Sequence, residues 1–205
     1  MGLYTEQILP RLENRVMDTA QSRETRARVC AGLHGTVLEI GFGSGLNLPH
    51  LPPEVRDLWA VDPSETGRRL AAERRAASPV AVAFAAADAT TLPFDDAVFD
   101  SALSTWTICS LPDPVGALRE VGRVLRPGAR LHLVEHGLAA DPAVARRQHR
   151  WDPLQRRLAG GCTLSRDIPG LLGAAGFATY DLTTYYEPGT PKVVGYTYEG
   201  RAVRE

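Results

Sequence analysis

The stretch Val37-Leu-Glu-Ile-Gly-Phe-Gly-Ser-Gly-Leu-Asn47 constrains this chain more than any other. Val37, Leu38 and Ile40 suit a short strand buried on both faces, and Gly41, Gly43 and Gly45 then let the backbone turn sharply and come close to a ligand. A nucleotide-like ligand is implied, bound at the carboxyl end of a strand.

The spacing of the glycines narrows the choice of ligand. A dinucleotide fingerprint reads G-x-G-x-x-G, but here the third glycine comes one residue early and Leu46 holds its place. A phosphate-cradling loop needs Lys followed by Ser or Thr, and the single lysine of the chain is Lys192. Glu39, just ahead of the glycines, would repel a pyrophosphate and would attract a cationic ligand. The plain alternative is a glycine-rich turn that binds nothing.

At 205 residues and 44% hydrophobic content the chain has the core of one ordinary domain. Its expected parts are a helical cover over 1–32, a cofactor-binding core over 33–136, and a helical insertion with a closing hairpin over 137–205. The net charge of -1 gives no general pull toward nucleic acid. Cys30, Cys109 and Cys162 are widely spaced, with no C-x-x-C, so no metal site is expected. With no secretory signal ahead of them, they suggest a reducing cytoplasm. No apolar run approaches the roughly 18 residues of a membrane span.

Along the chain, residues 3 to 32 show a helical period interrupted at Pro10, and Asn47 to Leu51 reads as a brief helix stopped by Pro52. Leu58 to Val61 is the second strand and ends at Asp62-Pro63-Ser64. Asp62 stands about twenty residues beyond Gly41, where nucleotide-binding α/β folds place an acid for ribose hydroxyls; a helix N-cap is its other reading. Glu65 to Ala77 is a helix and Val80 to Ala86 a third strand, followed by Asp88-Ala89. Phe99 to Leu103 is the fourth strand, running into the loop Ser104 to Ser110 that contains Thr105 and Trp106. Ala117 to Leu125 is a helix, and Arg130 to Glu135 the fifth strand, with His136 after it. Phe177 to Tyr186 and Val193 to Tyr198 form a closing hairpin. The expected fold is therefore α/β: a Rossmann-like, mostly parallel seven-stranded sheet with helices on both faces and a C-terminal antiparallel hairpin. Within the insertion, Val144, Trp151, Leu154 and Leu158 recur at helical spacing. Arg146, Arg147, Arg150, Arg156 and Arg157 lie largely elsewhere, as a solvated face or as a contact for an anionic surface.

Leu38-Glu-Ile-Gly-Phe-Gly-Ser-Gly-Leu-Asn47, Val61-Asp-Pro-Ser64, Leu125-Arg-Pro-Gly128 and Val134-Glu-His136 together resemble the UbiE-type branch of class I S-adenosylmethionine-dependent methyltransferases. Gly161-Cys-Thr-Leu-Ser-Arg166 is similar to an element shared by bacterial homologues and the vertebrate methyltransferase-like seven proteins, which are thiol S-methyltransferases. Those vertebrate proteins begin with a hydrophobic anchor that is not expected here. The resemblance implies S-adenosylmethionine as cofactor, held by Glu39, Gly41, Gly43, Gly45, Asn47, Asp62, Pro63, Ser64 and Thr105. It implies Asp88 at the adenine amino group, Ala89 beside the ring, and Tyr4 reaching in from a segment folded over the cofactor.

Methyl transfer from a sulfonium is an in-line displacement, so the expected work of the protein is alignment and exclusion of water. His136 is the candidate base, since histidine as a residue type exchanges protons near neutrality; a structural histidine is the alternative. Glu135 would orient it or touch the substrate. Trp106 and Trp151 are candidates for an apolar wall around the acceptor or for plain core, and Arg166 would bind an acid or cap local backbone. Cys109 and Cys162 read as buried thiols, because the reaction needs no covalent enzyme intermediate. The expected acceptor is a small molecule, a thiol first, with oxygen, nitrogen or carbon of a quinone or secondary metabolite behind it. A non-catalytic cofactor-binding module and a nicotinamide dehydrogenase are the other readings, and the chain is expected to be a monomer or homodimer. Nucleic-acid methylation is disfavoured by the lack of an Asn/Asp-Pro-Pro-aromatic motif for a flipped base.

Overall fold

The computed structural model describes residues 2–204. Five parallel strands form its centre: β1 (Gly35–Ile40), β2 (Val55–Val61), β3 (Ala81–Ala86), β4 (Phe99–Thr105) and β5 (Leu125–His136). β6 (Phe177–Thr179), β7 (Thr183–Tyr186) and β8 (Tyr196–Arg204) complete one sheet of order β3-β2-β1-β4-β5-β8-β6, with β7 also on β8. β8 runs antiparallel to β5. The strand order reverses between β1 and β4, and in open α/β sheets the carboxyl ends of the strands at such a point border the ligand crevice.

Burial on both faces explains why Val37, Leu38 and Ile40 of β1 are all apolar, with the buried Glu39 the exception among them. Leu38 and Ile40 join one core layer, with Phe99, Leu118, Val121, Leu131 and Leu172. Val37 joins the opposite layer, with Val29, Leu33, Leu58, Leu103 and Val134. Successive strand residues point to opposite faces, so each layer draws on alternate positions of the same strands.

The sheet has eight strands rather than seven because the outer arm of the hairpin is broken. At the break the Asp181 carboxylate accepts from the Arg201 amide and Nε, each at 2.7 Å. The Asp181 carbonyl comes within 2.5 Å of the place a Cβ would take on Gly200, so the chain bulges there instead of pairing. The return strand also starts later than Val193, since the amides of Val194 and Gly195 fold back onto the Pro191 carbonyl.

The helices depart from expectation in informative ways. Pro10 falls in the first turn of α1 (Leu9–Val16), which follows directly on a π-helical stretch over Tyr4–Ile8, so the chain stays helical on both sides of it and changes hydrogen-bond pattern there rather than breaking. α2 (Ala20–Cys30) begins at a Thr19/Ser22 capping box. The helix expected over Glu65 to Ala77 is two, α3 (Glu65–Leu70) and α4 (Ala72–Ala77). α5 (Pro114–Val124) leads into β5, and α6 (Pro142–Leu158) and α7 (Ile168–Ala174) follow it, each capped by an aspartate. α6 does not bury its apolar stripe. Its inner face is Val144, Gln148 and Asp152, whereas Trp151, Leu154 and Leu158 are 50%, 46% and 51% exposed. Gln148 accepts from the Ala139 amide and donates to the Gly137 carbonyl; Asp152 accepts from the Leu164 amide and the Ser165 hydroxyl. The amides of Ala139 and Leu164 and the carbonyl of Gly137 find their partners on this inner face, which is therefore polar.

One buried histidine sits in this scaffold. His132, on β5, donates from Nδ1 to the Val29 carbonyl at 2.8 Å, and burial pushes its pKa down to about 4. The unfolded chain takes up this proton below about pH 6.5, whereas the folded chain resists it to about pH 4. Stability is therefore expected to fall as pH drops through that window. His132→Asn keeps a donor and removes the titration, so in urea unfolding from pH 7 to 4 the native protein should lose up to about 3 kcal/mol more than the variant.

Candidate cofactor and acceptor site

Glu39 ends β1 as a fully buried carboxylate, and burial pushes its pKa up to about 8. One oxygen accepts from Asn47 Nδ2 at 2.7 Å; the other, Oε2, has no protein partner. Asn47 also donates to Thr105 Oγ1 at 3.0 Å. Arg26 Nη1 donates to Asn47 Oδ1 at 2.6 Å and to Thr105 Oγ1 at 2.9 Å. A polar network thus crosses from β1 to β4 under the glycine loop, with the guanidinium of Arg26 4.8 Å from the centre of the Trp106 ring.

The glycine loop takes its shape from left-handed backbone at Gly41, Gly43 and Gly45, φ +76°, +53° and +74°. A Cβ on Gly41 would overlap the Thr107 side chain, so glycine is needed there for the loops after β1 and β4 to meet. Gly43 faces open space. Asp62, at the end of β2, accepts from the Gly43 amide at 2.6 Å and the Ser64 amide at 2.7 Å; burial raises its pKa against the pull of these amides. Ser64, not Asp62, caps α3, accepting from Gly67. Pro63 lies between them, exposed. Asp88 is exposed and accepts from the amide and hydroxyl of Thr90, which hold its pKa low; Ala89 behind it is buried.

The N-terminal segment lies across this crevice. Thr66 of α3 donates to Gln7, and Arg74 of α4 donates to Asn14 and to the Ser44 carbonyl. Glu13 of α1 is pushed up to about 7, by desolvation first and then by the charges of Asp62 and Cys162. Tyr4 donates its hydroxyl to the Leu158 carbonyl at 2.6 Å, tying the segment to α6.

Beyond the network lies the end of the sheet where an acceptor would sit. Trp106 takes a left-handed backbone at φ +52°, held by its amide on the Val134 carbonyl at 2.7 Å. Such strain in a bulky residue collects at functional sites. His136, half-buried at the end of β5, has its ring 6.4 Å from Trp106 and Nδ1 3.8 Å from Cys162 Sγ.

Glu135 bonds the turn after β4 and not the His136 ring. Its buried carboxylate accepts from the Ser104 hydroxyl at 2.7 Å and from the amides of Thr107 and Cys109 at 3.0 and 3.1 Å, so it fixes the turn after β4. Arg166 takes its backbone-capping alternative, donating to the carbonyls of Cys109 and Leu111. Trp151 faces solvent from α6 and does not join Trp106 in a wall. The 161–166 element docks on the same turn: Thr163 donates to the Cys109 carbonyl at 2.9 Å, and Gly161 leaves no room for a side chain against the Ser110 carbonyl at 2.8 Å. It carries Cys162 to within 3.6 Å of Cys109, sulfur to sulfur. Cys162, hydrogen-bonded by Cys109 and then by His136, is the thiol shifted toward ionisation; Cys109, bonded to Cys162 and buried beside Glu135, is pushed up.

Sequence reasoning missed Arg26, Thr107 and Glu13. Arg26 lies in a polar helix with no apolar stripe to mark an inner face, and the other two have no local motif around them.

The residues present fit S-adenosylmethionine. An unpartnered carboxylate oxygen beneath the glycine loop matches an ammonium, the open side of Gly43 leaves backbone for close approach, and Asp62 offers oxygens at the ribose position.

Residues 38–133 match the methyltransferase domain family. A demethylmenaquinone methyltransferase of Clavibacter sepedonicus is 34% identical over 54% of this chain, which spans only 44% of that protein. The human thiol S-methyltransferase TMT1A is 30% identical over 82% of this chain and 70% of its own length. Among solved structures, the N-methyltransferase NodS of Bradyrhizobium japonicum, in complex with S-adenosyl-L-homocysteine, superposes with a TM-score of 0.72 over 98% of both chains at 18% identity, a likeness of fold. Together with the glycine loop and its acids, these matches establish that the chain belongs to the class I S-adenosylmethionine-dependent methyltransferases.

Proposed function

We propose that this chain transfers a methyl group from S-adenosylmethionine to a small-molecule thiol. The observation that carries the thiol is the 161–166 element: the similarity to a human thiol S-methyltransferase extends over 82% of the chain, and that element sets Cys162 and His136 side by side at the acceptor end of the sheet. When bound, S-adenosylmethionine supplies a methyl on a sulfonium, with a neutral thioether as leaving group.

The chain's own residues bind, align and exclude water. Glu39 takes the cofactor's ammonium, Asp62 its ribose, and Gly41, Gly43 and Gly45 admit its close approach, with Asp88 and Ala89 toward the adenine. α1 covers the crevice, and Trp106 with His136 borders the acceptor. Alignment supplies the larger part of the barrier lowering, roughly 7 to 11 kcal/mol at best. A thiol of pKa near 8.5 is only a few per cent ionised at pH 7, so complete ionisation adds about 2 kcal/mol. His136 is the side chain placed to favour that ionisation.

Calorimetry with S-adenosylhomocysteine tests the donor side. Micromolar binding is expected, weakened at least about tenfold in Asp62→Ala; no heat at high micromolar ligand would end the reading, and unchanged affinity in the variant would remove Asp62 from it. Labelled cofactor offered with thiols, phenols and demethylmenaquinone-type quinones tests the acceptor. Methyl transfer to a quinone and to no thiol would move the chain to the chemistry of its demethylmenaquinone relatives.

The cytoplasm is the proposed location, which suits three free cysteines, and no helix among the described residues is long and apolar enough to cross a membrane. Exposed Trp151, Leu154 and Leu158, flanked by exposed Arg146, Arg147, Arg150, Arg156 and Arg157, favour contact with an anionic surface over a purely solvated face. Cosedimentation with phosphatidylserine vesicles at low salt should capture the chain, and Trp151→Ala with Leu154→Ala should release it. Equal recovery with neutral vesicles would remove the role of the arginines.

A further inference from the structure

Cys109, His136 and Cys162 come from three separate places: the turn after β4, the end of β5 and the loop after α6. Their ligand atoms all lie within 4.8 Å of one another, with Sγ to Sγ at 3.6 Å and Cys162 Sγ to His136 Nδ1 at 3.8 Å. In a tetrahedral zinc site, bonds of about 2.3 Å to sulfur and about 2.05 Å to nitrogen set a sulfur–sulfur edge near 3.8 Å and a sulfur–nitrogen edge near 3.6 Å. Two edges of that tetrahedron are already formed.

The backbone around the cluster is held in the way a metal site requires. Glu135 accepts from the Cys109 amide, and Thr163 and Arg166 donate to the Cys109 carbonyl. The Cys162 amide donates to the Ala159 carbonyl. These partners fix both cysteines before any ligand arrives. Cys109 and Cys162 are almost wholly buried, and His136 is the partly open member, so access is from its side. Two sulfurs and an imidazole, with no carboxylate in the set, select a thiophilic ion.

We propose that Cys109, His136 and Cys162 bind one zinc ion, with a fourth position open to the thiol of the methyl acceptor. Binding displaces the remaining protons of the two cysteine thiols to solvent. The second half of the proposal rests on the thiol-acceptor reading: an acceptor thiol entering the fourth position gives up its proton to solvent and is held as a thiolate. Its sulfur then attacks the methyl carbon, a new sulfur–carbon bond forms, and the carbon–sulfonium bond breaks with its electron pair going to the departing thioether. His136 favours ionisation here as a ligand of the cation rather than by taking the proton.

The test uses the full chain, reduced with a phosphine and stripped with a chelator, and titrated with cobalt(II) as a spectroscopic stand-in for zinc. The expected result is thiolate-to-cobalt charge transfer in the near ultraviolet and the visible bands of a tetrahedral ion, saturating at one cobalt per chain and reversed by zinc. Cys109→Ser and Cys162→Ser should weaken binding at least about a hundredfold and His136→Gln about tenfold or more, whereas Cys30→Ala should leave the spectrum unchanged. X-ray absorption of the zinc-loaded native chain should show two sulfurs and one nitrogen, and this holds even if a variant fails to fold. No charge transfer at stoichiometric cobalt, a signal that survives both serine substitutions, or a Cys109–Cys162 disulfide forming in place of metal uptake overturns the site.

Adding a small thiol substrate should shift the cobalt bands. Unshifted bands with thiol turnover present overturn the acceptor's place on the metal. Tight cobalt binding without any thiol turnover leaves the zinc site standing and removes the thiol reading instead.

Discussion

A carboxylate buried at the end of the central strand is the constraint around which the donor side is built. Glu39 has no contact with solvent, and leaving its charge unpaired in that place would cost several kcal/mol. The chain answers with a dipole rather than a direct ion pair, through Asn47, and with Arg26 one hydrogen bond further away. The answer is incomplete, since Oε2 lacks a partner and the pKa rises to about 8. An acid kept half-satisfied inside a fold is poised for a cation, and this asymmetry ties the glycine loop to a sulfonium cofactor rather than a pyrophosphate. Thr105, at the end of β4, shares the same network, so the two strands that flank the crevice are fixed to one another by the group that reads the ligand.

The acceptor side repeats this logic with another buried acid. Glu135 spends its carboxylate on one hydroxyl and two backbone amides, and so fixes the turn from which Cys109 projects. Arg166 and Thr163 hold the other side of that turn, and Asp152 holds the amide of Leu164. Polar groups on three elements, β5, α6 and the 161–166 segment, converge on a handful of backbone positions, which holds the backbone around His136 and the two cysteines without using their own side chains. Glu135 and Arg166, read from sequence as candidates to touch substrate, both bond this backbone.

What was legible in the sequence follows the range over which each signal acts. β1, the three glycines, Asp62 and the βα alternation were readable because a strand, its turn and the following cap lie within a few residues of each other. The hairpin was readable as a pair but not as three strands, because the break at Asp181 depends on Gly200 and Arg201 across the sheet. α6 misled, because its apolar residues keep a helical period but face outward, and its inner face is chosen by loops that need hydrogen-bond partners. Arg26 and the Cys109, His136 and Cys162 cluster leave no local trace at all: their members meet only through the sheet's topology and the docking of the 161–166 element.

Donor and acceptor sites therefore rest on different kinds of structure. Glu39, Thr105 and Asp62 sit at strand ends, whose positions are set by core packing and tolerate little change. Cys109 and Cys162 sit on loops, and His136 at the last residue of β5, all held by side-chain bonds that a few substitutions rearrange. The 161–166 element and the turn it clasps lie apart from β1, so a change in them leaves the buried acid of that strand in place. A family built this way keeps its cofactor while its acceptors diverge. Relatives named for quinone and thiol methylation both align with this chain, and Cys162 of the 161–166 element meets Cys109 and His136 where these loops converge.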